Sequence, residues 1–151
     1  MIFSFRSFQP GDQPAVKELI LAGLVEHWGF LDQTLNTDLN DIQASYQGAT
    51  FLVACVDNEI VGCGALVPRN PDTAEIVRMS VAARFRRLGL GTQILNHLLG
   101  VARETEYPQV ILETTAKWED AVAFYLRNGF QVTHYQDDDV FFKRLLTKCT
   151  K

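Results

Sequence analysis

The chain has 151 residues, of which 47% are hydrophobic and 21% charged, with a formal net charge of −4 at pH 7. These values exclude disordered and fibrous classes and suit one domain, residues 1–151, long enough for a full hydrophobic core. The negative balance argues against nucleic acid as a partner, because phosphate neutralisation supplies most of that affinity, and no apolar run is long enough to cross a bilayer.

The first residues, Met1 to Arg6, lack a basic leader followed by an apolar run, so no secretory signal is expected. Residues 2–8 alternate as a strand. Pro10-Gly11-Asp12 is a turn able to open a helix, in which Val16, Leu19, Ile20, Leu24 and His27 recur at helical spacing. Residues 29–47 are polar with scattered Leu35, Leu39, Ile42 and Tyr46, and predict a short helix within a loop-rich region. Residues 50–56 and 59–67 are β-branched and apolar, joined by an Asp57-Asn58 hairpin turn. A third strand, 73–81, follows the turn Asn70-Pro71-Asp72. Residues 90–103 predict a strong helix with Leu90, Ile94, Leu95, Leu98, Val101 and Ala102 on one face. After Pro108 come a short buried strand over 110–113 and a helix over 118–127 that stops at Asn128-Gly129. A hairpin of 130–135 and 140–145 closes the chain across Asp137-Asp138-Asp139, a solvated turn that could also draw cationic amines. The order β, α, α, β, β, β, α, β, α, β, β predicts a mixed α/β (α+β) domain.

Cys55, Cys63 and Cys149 are an odd number without CxxC spacing, which argues against a disulfide framework and a zinc site. Cys55 and Cys63 sit in apolar runs and read as packed thiols, so a reducing, cytoplasmic setting is expected. His27, His97 and His134 show no ligand-like spacing, and no metal is expected.

The chemically informative stretch runs from Val77-Arg78-Met79-Ser80-Val81 through Arg86-Arg87-Leu88-Gly89-Leu90-Gly91-Thr92. A strand ends, a basic loop follows, and two glycines open a long amphipathic helix. Helix N-termini present unpaired N–H groups and partial positive charge, which suits a phosphate. Glycines let an anion approach the backbone, and Arg78, Arg84, Arg86 and Arg87 crowd into ten residues as a candidate anion-holding patch. A P-loop is excluded, since neither glycine is followed by Lys-Ser or Lys-Thr. A dinucleotide fingerprint fits poorly, because Gly89-x-Gly91 is followed by Ile94 and a charged loop separates strand from glycines.

Arg86-x-x-Gly89-x-Gly91 after an apolar strand resembles the (Gln/Arg)-x-x-Gly-x-(Gly/Ala) element of the GCN5-related N-acetyltransferases, the GNAT superfamily. Ala121-x-x-Phe124-Tyr125-x-x-x-Gly129-Phe130 is similar to the family's later element, a short tyrosine-bearing helix ending in Gly-Phe before a strand. The predicted element order also resembles that of the family. The resemblance implies an acyl-CoA N-acyltransferase fold, with a central mixed, mostly antiparallel sheet flanked by helices. It further implies transfer of an acetyl group from acetyl-CoA, the co-substrate, to a small-molecule or peptide primary amine. Attack would be direct, within a ternary complex. A non-catalytic acyl-CoA-binding or sensor domain on the same scaffold is the alternative, and a homodimer is compatible with either.

By the same resemblance the coenzyme's diphosphate would lie over Arg86, Arg87, Leu88, Gly89, Leu90, Gly91 and Thr92. Its pantetheine arm would pair with Met79, Ser80 and Val81, where a bulge typical of the family frees an N–H for the thioester carbonyl. Tyr125 would protonate the departing thiolate, although helical spacing with Ala121 and Phe124 also allows simple packing. Glu75 stands where many members carry an acid that works through water, and by period two it shares a face with Val77, Met79 and Val81. A salt-bridged strand glutamate is the alternative there, and Glu113 is the second candidate base. Trp118 stands seven residues before Tyr125, where many members place a pantetheine-binding asparagine. Thr114 or Thr115 could supply that hydrogen bond instead, leaving Trp118 as a core cap or part of the acceptor pocket. Acceptor choice is expected to lie with residues 26–47 and the C-terminal hairpin.

Overall fold

The computed structural model describes residues 2–31 and 34–147, so Cys149 lies outside the described residues. Strand β1 (Ser4–Ser7) leads through a 3-10 turn (Pro10–Asp12) into helix α1 (Gln13–Trp28). Pro14 pre-sets the first helical turn. Asp12 ties the entry together: it accepts from the Gln9 amide at 2.9 Å and from both terminal Arg6 nitrogens at 2.7 and 2.9 Å. The helix stops at Gly29, whose φ of 78° is left-handed. Between Gly29 and residue 50 the described residues form a 3-10 turn (Thr37–Asn40) and the one-turn helix α2 (Ile42–Ser45), held down by fully buried Leu39 and Ile42.

Strands β2 (Thr50–Val56) and β3 (Glu59–Asn70) meet at Asp57 and Asn58, whose φ values of 50° and 65° belong to the two-residue turn that matches strand twist. Strand β4 (Thr73–Val81) is followed by helix α3 (Leu90–Glu104), strand β5 (Gln109–Thr115), helix α4 (Glu119–Arg127), and strands β6 (Gln131–Gln136) and β7 (Asp139–Leu145). The last hairpin turns on Asp137 and Asp138, at φ 50° and 69°. Asp139 therefore belongs to β7 rather than to the turn that the charge run predicts.

The sheet order is β1-β2-β3-β4-β5-β7-β6, antiparallel throughout except for β4 and β5. A parallel neighbour needs a crossover, which α3 supplies. Val16 and Ile20 of α1 cover one face together with Leu39, Phe51, Val53, Cys55 and Cys63. On the other face, Leu90, Ile94, Leu95, Leu98, Leu99 and Ala102 of α3 are at most 1% exposed. Leu99 takes a fully buried place, whereas Val101, expected on the core face, is only partly buried and packs at its margin. Fully burying one such leucine is worth about 1.5–3 kcal/mol. Close approach of α3 depends on Gly64, where an added Cβ would lie 2.6 Å from Met79 Sδ and 3.1 Å from methyls of Ile94 and Leu98.

One irregularity in β4 shapes the centre of the sheet. Val77 pairs with Ala65 and Ser80 with Cys63, so Arg78 and Met79 together oppose Gly64, and Arg78 has a φ of 57°. This bulge reverses side-chain parity along the strand. Val77 packs on the α1 side, while Met79 and Val81 pack on the α3 side. Glu75 therefore shares a face with Val77 but not with Met79 and Val81, correcting the period-two expectation.

Candidate active site

Pairing between β4 and β5 ends at Glu75–Ile111, whereas β5 continues against β7 as far as Thr115–Asp139. The two strands splay from that point. The resulting V opens into a cleft of about 900 Å³, walled by the last turns of α1, the start of α3 and one side of α4. Met79, Ser80 and Val81 line one arm, Glu113, Thr114 and Thr115 the other.

At the mouth, Arg87 and Gly89 take φ values of 62° and 81° and turn the chain into α3. Gly89 is the N-cap, no side chain caps the helix, and the first intrahelical bond runs from Gln93 N–H to Gly89 C=O at 3.1 Å. The N–H groups of Leu90, Gly91 and Thr92 thus have no partner within the helix. An added Cβ at Gly91 would lie 3.3 Å from the Phe124 ring, so this glycine also lets α3 and α4 meet. Backbone donors, a positive helix end and a side-chain-free approach fit a diphosphate.

The arginines divide differently from the predicted patch. Arg78 donates to Asp38 at 2.6 and 3.0 Å and to Asn36 at 3.2 Å, on the α1 side to which the bulge turns it. Arg84 pairs with Glu59. Arg86 pairs with Glu26 and donates to Val81 C=O at 3.2 Å. Arg87 is the one of the four without an ion pair among the described residues. Burial pushes Asp38 up, but hydrogen bonds from Arg78 and Tyr46 outweigh it and hold the carboxyl below its usual value. Burial and Asp38 raise Tyr46 to about 12. These groups border a second cavity of about 510 Å³ outside the V.

Every residue assigned to the coenzyme lines the cleft except Leu88, whose side chain points into solvent at 53% exposure. Tyr125 also lines it, wedged among Phe124, Phe130 and Phe142, and burial pushes its hydroxyl pKa well up. Glu113 reaches the cleft with its carboxyl pKa raised by burial, by the charges of Asp139 and Glu75, and by a hydrogen bond with Asp139. Glu75 does not line the cleft. Its carboxylate accepts from Arg69 Nε at 2.7 Å, the salt-bridged alternative.

Sequence reasoning missed Asp139 as a cleft residue, because only the β5–β7 register sets it opposite Thr115. It also missed the bridge across the mouth made by the end of α1. There Glu26 holds Arg86, while His27 stacks on Trp118 at 4.3 Å and Trp28 meets the same indole edge-on at 5.4 Å. The aromatic pair His27-Trp28 was the available signal, without a way to see its partner. Trp118 N-caps α4 and shares the wall with Thr114 and Thr115. His97 packs on Phe5 and His134 on Phe141, and no cluster of three metal-binding side chains occurs among the described residues. Nor is any helix there long and apolar enough to cross a membrane.

The chain is 33% identical over 129 residues to mouse N-acetyltransferase 8F1, covering 80% of this chain and 58% of that protein. It is 36% identical over 106 residues to zebrafish N-acetylaspartate synthetase, covering 68% and 38%. The chain thus spans little more than half of one relative's length and less than half of the other's. Among solved structures, a Staphylococcus aureus GNAT-family acetyltransferase superposes with a TM-score of 0.88 at 22% identity, covering 97% of this chain and all of that one. Ard1 from Thermoplasma volcanium does so with a TM-score of 0.80 at 26% identity, covering 98% and 100%. The sequence profile described as the acetyltransferase (GNAT) family matches residues 14–130, a stretch that runs from α1 through the bulged strand and glycine-opened helix to the end of the tyrosine helix. With that much of the chain inside one profile and the matching fold around it, the protein belongs to the GNAT acetyltransferase family.

Proposed function

We propose that the chain transfers the acetyl group of acetyl-CoA to a primary amine by direct attack within a ternary complex. The observation that carries this reading is the coincidence of three openings in one cleft: unpaired α3 amides, the β4 backbone beyond Glu75, and Tyr125. Acetyl-CoA supplies the activated thioester.

The amides of residues 86–92 hold the diphosphate. Met79, Ser80 and Val81 offer the pantetheine arm the edge that β5 leaves free. The N–H released at the Arg78 bulge polarises the thioester carbonyl. As the amine nitrogen bonds to the carbonyl carbon and the carbon–sulfur bond breaks, Tyr125 gives its proton to the sulfur. Its raised pKa keeps that proton in place through the neutral range. Glu113 takes the proton lost by the amine, because it faces the cleft while Glu75 is engaged by Arg69. Glu75 acts on it through negative charge. With Asp139 and the adjacent Asp137 and Asp138, these carboxylates favour a cationic amine over a dicarboxylate such as aspartate. The buried free thiols Cys55 and Cys63 fit a reducing, cytoplasmic setting.

A thiol-release assay with acetyl-CoA and a panel of polyamines, peptide amines and amino acids tests this reading; release that does not depend on an added amine would refute it, and release best with aspartate would refute the preference for a cationic acceptor. The bridge of Glu26, His27 and Trp28 to Arg86 and Trp118 favours a second reading, a non-catalytic acyl-CoA-binding module. Tight coenzyme binding without turnover on any amine would select it.

A further inference from the structure

Of the non-glycine residues with positive φ among the described residues, Arg78 alone lies inside a strand rather than in a turn or loop. Its φ of 57° is costly for so long a side chain. Such backbone persists only where its surroundings over-determine it.

Two sets of contacts do so. On the α1 side, one Asp38 oxygen accepts from Arg78 Nη2 at 2.6 Å and the other from Arg78 Nε at 3.0 Å. Tyr46 O–H donates to that second oxygen at 2.6 Å. The grip is itself anchored: Leu39, beside Asp38, is fully buried, and the Tyr46 ring meets Phe51 edge-on at 5.1 Å. From β3, the buried Cys63 thiol donates to Arg78 C=O at 3.3 Å, and its sulfur accepts from Ser80 N–H. Burial pushes this thiol up to about 12, so it keeps the proton it donates.

A trans peptide sets the C=O of one residue and the N–H of the next on opposite sides. With Arg78 C=O turned to Cys63, Met79 N–H is turned away from it, and Met79 lines the cleft. A donor to a developing oxyanion is effective when it is held in place before the charge forms.

We infer that Asp38, Tyr46 and Cys63 are positioning residues, which lock the Arg78–Met79 peptide so that the Met79 amide stands ready to polarise the thioester carbonyl. None of the three lines the coenzyme cleft. The inference rests on the proposed use of acetyl-CoA, and it links the segment expected to choose the acceptor to the reacting carbonyl through the Asp38–Arg78 pair.

Isotope-edited infrared spectroscopy tests it, with acetyl-CoA labelled at the thioester carbonyl and bound to the full chain without acceptor. Binding to the parent protein should lower the carbonyl frequency. Asp38→Ala and Cys63→Ala should each return the band part of the way. Their kcat should fall about tenfold at little change in KM for acetyl-CoA, less than the roughly hundredfold of losing an oxyanion donor outright. Tyr46→Phe keeps the ion pair and Cys63→Ser keeps a donor, so these milder variants should move the band less. Arg78→Gly accepts the positive φ with no side chain to grip, so adding Asp38→Ala to it should cause no further loss. A band lowered in the parent and equally low in every variant that folds, even one with a reduced melting temperature, would overturn the inference alone. A further loss in the double variant would do the same. A band that binding leaves unmoved in the parent would overturn the proposed role of the bulge amide, and this inference with it.

Discussion

Removing Glu26 tests the electrostatics of the cleft mouth most directly. Its carboxylate holds Arg86, which lines the cleft together with the residues whose amides are unpaired at the start of α3. The hydrogen bond from Arg86 lowers the Glu26 pKa, so the pair exists above the usual carboxylate range and is lost only as pH falls through the depressed value. At neutral pH the coenzyme's diphosphate must therefore compete with Glu26 for Arg86. Side-chain exposures of 37% for Arg86 and 47% for Glu26 place the pair among surface ion pairs, worth about 0.2–1 kcal/mol. Glu26→Ala should accordingly tighten coenzyme A binding by between about 1.4-fold and fivefold. Isothermal titration calorimetry at low salt would measure this, and added salt should shrink the gain as screening grows. In an Arg86→Gln background the same substitution should have no effect, which separates loss of the pair from a general change in charge. Weaker binding in Glu26→Ala, or an equal gain in both backgrounds, would refute the reasoning.

Tyr125→Phe should lower turnover about a hundredfold with little change in coenzyme affinity; because burial raises this pKa, no tyrosine limb should enter the pH–rate profile in the neutral range. Glu113→Gln should remove an acid limb lying above the usual carboxylate range, since activity is lost as pH falls through the raised pKa. The same change should raise the melting temperature at neutral pH, because a carboxyl with a raised folded-state pKa stabilises the fold only when protonated. Gly64→Ala should cost about 1–3 kcal/mol in denaturant unfolding by overpacking against Met79, Ile94 and Leu98.

Much of the scaffold is local and could be read along the chain. The apolar period of residues 90–103 marks α3, and Asp57-Asn58 marks its hairpin because few other pairs accept two positive φ values. The second motif located the tyrosine helix and its end at Gly129, whose φ is 86°. The family resemblance implies a bulge in this strand, but its position at Arg78 was illegible, because it exists only in the count of β4 residues against those of β3. Its consequences were illegible with it: the face of Glu75, and the direction of Arg78, whose partner Asp38 lies 40 residues away. Asp139 looked like a turn residue because strand register, not composition, brings it to the cleft.

The sequence by itself determined which segments could bury an apolar side, where the chain had to turn, and that a glycine-opened helix end would offer bare amides. These depend on residues within a few positions of one another. Only the tertiary structure decided where β4 parts from β5, which arginines are already neutralised by distant carboxylates, and that Trp118 lies under His27 and Trp28. Those outcomes are set by free energies between elements far apart in the chain, for which the linear order carries no local signal.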